Sequence, residues 1–151
     1  MRGFLLACIF ICLSSVLAKA QQAMPVKWTF EIEKISSQEY DLIMTADVDR
    51  GWYIYSQYLE SDEGPIATSF FFDNKDQLEF VGKMEEMGKK KEGFDELFEM
   101  TITKYSDKVK FIQKVKVPKG TTEVSGAVEF MTCDDGSCLP PTEVPFTLTL
   151  E

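Results

Sequence analysis

Two cysteines with four residues between them, Cys133 and Cys138, are the residues of this chain best placed to do chemistry. They stand in the stretch Phe130-Met131-Thr132-Cys133-Asp134-Asp135-Gly136-Ser137-Cys138-Leu139-Pro140-Pro141, where Asp135-Gly136 is a turn dipeptide. The 151 residues include no histidine. That removes a Ser/His/Asp triad, a Cys/His nucleophile pair and any His-ligated zinc or haem, so chemistry must come from sulfur or carboxylates. Two thiolates alone make an incomplete zinc site, and copper(I) would need Met131 or Met100 to converge on them. No metal is therefore expected. A structural bridge and a redox-active pair both remain open on the residues alone. Closing so short a loop is worth roughly 2 kcal/mol of chain entropy, against nearer 5 for about 100 residues, which makes this an inefficient staple. Thiol-disulfide exchange instead requires access for an attacking thiolate. Cys133 falls on the opposite parity from Val124, Val128 and Phe130, so it is expected to point away from the main core and to be exposed. Asp134 and Asp135, with no cation beside them in the chain, disfavour a thiolate, and the pair is expected to depend on a docked partner for its reactivity.

The start of the chain reads as an export signal. Met1-Arg2 is a short basic start, Phe4 to Val16 is almost wholly apolar, and Ala18-Lys19-Ala20 offers the small-x-small pattern of a signal peptidase site. The apolar run is shorter than the roughly 20 residues of a transmembrane helix. Residues 1–20 are therefore expected to be removed, along with Cys8 and Cys12. The remaining residues, 21–151, read as one soluble, exported domain in an oxidising compartment. Loss of Arg2 and Lys19 takes the formal charge from -9 to -11. Such an acidic domain is a poor ligand for polyphosphate, which excludes nucleic acid as a partner.

The elements that must position the cysteines have a period of two. Val26, Trp28, Phe30 and Ile32 alternate with Lys27, Thr29, Glu31 and Glu33, and Tyr40, Leu42, Met44, Ala46 and Val48 repeat the pattern. Further strands are expected over 52–58, 66–72, 78–84, 97–103, 109–117, 124–132 and 144–150. With no long amphipathic helix, eight or nine short strands predict an all-β, immunoglobulin-like antiparallel sandwich, with an up-and-down barrel as the second choice. Gln57 to Pro65 and Glu85 to Glu96 are expected as irregular loops, the second carrying Lys89-Lys90-Lys91 into solvent.

The Cys133 to Cys138 loop with Leu139-Pro140-Pro141 behind it resembles the redox loop of the N-terminal periplasmic domain of the thiol:disulfide interchange protein DsbD. Gly51-Trp52-Tyr53-Ile54-Tyr55 is similar to that family's Gly-aromatic-Tyr-aliphatic-Tyr strand, and Phe98 falls in the region of its cap loop. The resemblance implies that Cys138 forms mixed disulfides with partners and that Cys133 resolves them. It implies that Tyr53 and Tyr55 line the pocket around the sulfurs and that Phe98 shields them, with Phe94 as a substitute. Packing alone offers another reading of Phe98, since Phe98, Met100 and Ile102 alternate like a core face. The cysteine spacing departs from the family's best-known members, which have five intervening residues.

The function so implied is that of a periplasmic interchange module, a protein-disulfide reductase component with no cofactor. It would relay reducing equivalents between thioredoxin-like proteins through the Cys133-Cys138 pair. Its partners would include a membrane electron donor on a separate chain, because no membrane or thioredoxin-like segment follows Leu150 here. The alternative is a secreted immunoglobulin-like binding or adhesion module with a purely structural disulfide.

Overall fold

The computed structural model describes residues 24–61 and 63–150. The expected export signal over residues 1–20 lies outside the described residues. Among the described residues, nine strands form two antiparallel sheets. The larger contains β1 (Val26–Lys34), β2 (Glu39–Val48), β3 (Tyr53–Tyr55), β5 (Glu79–Asp95), β6 (Met100–Lys116) and β8 (Thr132–Cys133), and the smaller contains β4 (Ser69–Phe72), β7 (Glu123–Phe130) and β9 (Thr142–Thr149). This is the immunoglobulin-like sandwich expected from the alternation. Among the described residues no helix is long and apolar enough to cross a membrane.

The larger sheet is built around β6. Its half near Phe111 pairs with β2, and its half near Tyr105 pairs with the short β3, which in turn pairs with β8. Strand β5 lies along the other edge of β6 for nearly its whole length. Aromatic rings fill the space between the sheets: Trp28 and Phe111 from the larger meet Phe70 and Phe130 from the smaller at centroid distances of 5.2–5.9 Å. Phe30 stacks on Phe146 across the same gap.

Four expectations need correction. Glu85 to Asp95 is no loop but part of β5, the residues from Met100 to Thr103 and from Val109 to Lys116 belong to one strand, β6, and residues 96–99 form the turn between β5 and β6. The hairpin so formed has arms of 17 residues each. Alternation betrays a strand only when one face is buried; residues 89–94 are exposed on both faces and are held by the backbone ladder to β6, so no periodicity marks them. The expected strand over 52–58 shrinks to Tyr53–Tyr55. The run 124–132 is divided at Met131, where the chain leaves the smaller sheet and joins the larger as β8.

The aromatic layer should dominate stability. Phe111 is fully buried at its centre, and Phe111→Ala is expected to cost about 3–5 kcal/mol, the usual range for emptying a buried aromatic site. Urea unfolding with an unchanged slope would measure it.

Candidate functional site

The site begins with the alternation of β3. Ile54 joins the main core, so Tyr53 and Tyr55 face the opposite side of the larger sheet. Gly51, with φ at +88°, completes the turn that delivers them, and Trp52 N–H donates to the Asp49 carbonyl there. Tyr53 pairs with Cys133 and Ile54 with Thr132. The Thr132 hydroxyl donates to the Tyr53 carbonyl, and the buried Thr68 hydroxyl donates to that of Tyr55 at 2.6 Å.

A second, small core forms on this face. Tyr55, Ile102 and Cys133 are buried in it, and Tyr53, Leu59, Phe98, Met100, Met131 and Cys138 pack around them. Cys133 and Cys138 form a disulfide, with Cα atoms 4.1 Å apart. The expectation that Cys133 is exposed is therefore wrong: it does turn away from the main core, but it is fully buried in a core of its own. The parity gives the direction correctly, but the side it points to is covered by a second core and not by solvent. Cys138 is only partly buried, so the two sulfur-bearing residues differ in access.

The aromatic residues named from the sequence converge on the disulfide. The Tyr55 hydroxyl donates to Cys133 Sγ at 3.0 Å. Burial, helped by the nearby Tyr53 and Asp95, pushes the Tyr55 phenol well above its ordinary range, so it keeps its proton and remains a donor. Tyr53 donates to the Asp134 carbonyl at 2.9 Å. Phe98, in the four-residue turn of the long hairpin, meets the Tyr55 ring edge-to-face at 6.0 Å. Phe94 is 69% exposed and takes no part in this cluster. Met100 packs so closely on Gly64 that a methyl there would come within 2.6 Å of its sulfur. The core-like alternation of Phe98, Met100 and Ile102 is real, and the core it serves is this one.

Two side chains escaped the sequence reading. Asp134 looked like a charge beside the sulfurs. Its Oδ1 instead accepts from Gly136 N–H, Ser137 N–H and the Ser137 hydroxyl at 2.7–3.2 Å, which holds its carboxyl below the usual range and shapes the loop. The loop is also pinned by Asp134 N–H to the Ser137 carbonyl and Leu139 N–H to the Thr132 carbonyl. The second is Lys104, whose Nζ lies 3.7 Å from the Tyr53 ring centroid and 3.2 Å from Asp95. A cation is thus close to the cysteine loop, although none is near it in the chain. The signal for Lys104 was a lysine in register with Met100 and Ile102.

An antiparallel sandwich whose only described disulfide sits in a loop, under aromatic side chains and hydrogen-bonded to a tyrosine, defines a sandwich module built to display one sulfur pair. The model of the family described as "Thiol:disulfide interchange protein DsbD, N-terminal" matches residues 20–150. The chain belongs to this family, and thiol-disulfide interchange is its activity. Among solved structures, the reduced N-terminal domain of DsbD from Neisseria meningitidis is similar at 17% identity and a TM-score of 0.55, over 81% of this chain and 84% of that one. The N-terminal periplasmic domain of ScsB from Proteus mirabilis is similar at 18% identity and a TM-score of 0.57, over 82% of this chain and 44% of that one. These two likenesses bear on the fold. No curated protein matches the chain significantly.

The Asp134 arrangement has a defined pH signature. A carboxyl depressed in the folded state contributes stability above its unfolded pKa, and that contribution is lost as pH falls through the lower, folded value. The amide shifts of Gly136 and Ser137 should therefore hold steady down to about pH 4 and move only below the ordinary aspartate range. In Asp134→Ala they should lie at loop-like values at every pH, as NMR titration would show.

Proposed function

We propose that Cys138 is the sulfur attacked by partners and that Cys133 is the resolving thiol. The observation that carries this reading is the difference in access: Cys133 is fully buried beneath Tyr55 and Phe98, whereas Cys138 is not. A thiolate on a reduced thioredoxin-like protein attacks Cys138 Sγ, the Cys133–Cys138 bond breaks, and Cys133 leaves as the thiolate. The Tyr55 hydroxyl already donates to that sulfur and stabilises the charge that develops on it. The partner's second thiol then attacks its own sulfur in the mixed disulfide. It leaves as a disulfide, and the two protons and two electrons remain on Cys133 and Cys138. The reverse sequence passes them to an oxidised client, with Cys138 attacking and Cys133 resolving. No organic cofactor enters either half.

In this reading Phe98 shields the buried sulfur and Tyr53 holds the loop. Residues 1–20 direct export and 21–151 form the interchange domain, which works in the periplasm. Thioredoxin-like proteins are its donors and clients. Family membership favours this over an adhesion module with an inert disulfide.

Trapping distinguishes the two sulfurs. Cys133→Ser is expected to accumulate a mixed disulfide between Cys138 and a thioredoxin-like protein, whereas Cys138→Ser accumulates none; equal trapping by both would reverse or abolish the assignment. Tyr55→Phe keeps the ring and removes only the donor. It should slow reduction of the disulfide by about tenfold in stopped-flow measurements, in line with about 1.5 kcal/mol for a hydrogen bond to a charged group.

A further inference from the structure

Beside the cysteine loop lies an open groove of about 460 Å³, lined by Arg50, Lys89, Lys91 and Lys104 around Trp52 and Tyr53. The four cations come from three separate segments. Arg50 stands in the turn before β3, Lys89 and Lys91 on β5, and Lys104 on β6. The alternation of β5 splits its lysine run. Lys89 and Lys91 share the face of Lys104 and Tyr53, while Lys90 turns to the other face and pairs with Glu92 at 3.0 Å. Two of the groove cations are balanced internally, Lys89 by Asp107 and Lys104 by Asp95. Arg50 and Lys91 are exposed and have no ion pair among the described residues. A basic concavity is therefore concentrated at one place on a chain whose formal charge is -9.

The groove adjoins the sulfurs. Tyr53 is shared between them, pairing with Cys133 and donating to the Asp134 carbonyl, and Asp135 of the cysteine loop forms part of the groove wall. The groove therefore borders the loop that carries Cys138. We infer that this groove receives an acidic face of the redox partner and sets its orientation on the cysteine loop. The inference rests on the relay reading above and names the partner chemistry that reading leaves open.

A macromolecular face suits the groove better than a small anion. Its free cations, Arg50 and Lys91, are exposed, and no buried side chain encloses a ligand, so the site offers little desolvated binding. Exposed charges of this kind act on encounter rate and orientation more than on affinity. The surrounding acidic surface repels an acidic partner from other approaches. The groove then draws such a partner toward the cysteine loop, whose Asp135 forms part of its wall.

The test uses the oxidised protein and two reductants, both reduced thioredoxin-like proteins. One carries Asp and Glu around its CysXXCys, and the other has those carboxylates changed to amides. The double variant Arg50→Glu/Lys91→Glu should react with the acidic probe about tenfold more slowly than wild type at low ionic strength. The gap should close near 1 M salt, where the screening length falls to about 3 Å, and should shrink with the amide probe. Dithiothreitol should reduce both forms at the same rate. Equal rates for wild type and variant with the acidic probe overturn the groove's role, as does a loss that extends to dithiothreitol. A wild type reduced by dithiothreitol but by neither protein sinks the relay reading, and the docking inference with it.

Discussion

The short pairing of Tyr53 with Cys133 and Ile54 with Thr132 is the constraint on which the site depends. Without it, the segment after Phe130 would continue along the smaller sheet or hang free between β7 and β9. With it, the chain crosses between sheets at Met131 and places one cysteine under the tyrosine pair. The crossing is stabilised from both sides. The Thr132 hydroxyl and the ladder tie β8 to β3, while the main core anchors Ile54, and β6 holds β3 through Tyr105 and Lys104. A three-residue strand thus governs the setting of the sulfur chemistry.

Around this pairing the molecule maintains two cores of different kinds. The larger is a stack of rings between the sheets and carries the folding energy. The smaller lies outside the larger sheet, closed over by the turn of a long hairpin and by Leu59 from an irregular connection. Its cover comes from that turn and that connection, with Phe94 and Leu97 exposed beside Phe98. The packing that covers the disulfide is therefore separate from the packing between the sheets.

What was legible in the sequence follows from this division. Strands with one face in the ring-filled core, such as β1, β2 and the Phe111 half of β6, announce themselves by alternation. Tyr53 and Tyr55 could be placed on one side of a strand for the same reason. The outer half of β5 could not be read, because its two solvated faces leave no contrast between neighbours. The burial of Cys133 could not be read either, since parity says which side a residue faces and not that Leu59, Phe98 and Met100 from distant segments cover that side. The environment of the loop charges was hidden for a different reason. Asp134 spends its carboxylate on backbone two and three residues ahead, and Lys104 arrives from 30 residues away in the chain, so local charge counting misjudged both.

The hydrogen bonds that shape the cysteine loop involve Asp134, Gly136, Ser137, Leu139 and Thr132, and none uses a sulfur atom. The scaffold of the loop is thus independent of the bond it presents. When the sulfur–sulfur bond opens, the backbone has little reason to move, and the two thiols stay near one another instead of diffusing apart. Each then sees the other at a high effective concentration, so either direction of transfer begins from an arrangement close to its end point. Backbone and Asp134 hydrogen bonds thus hold the loop by contacts other than the disulfide itself.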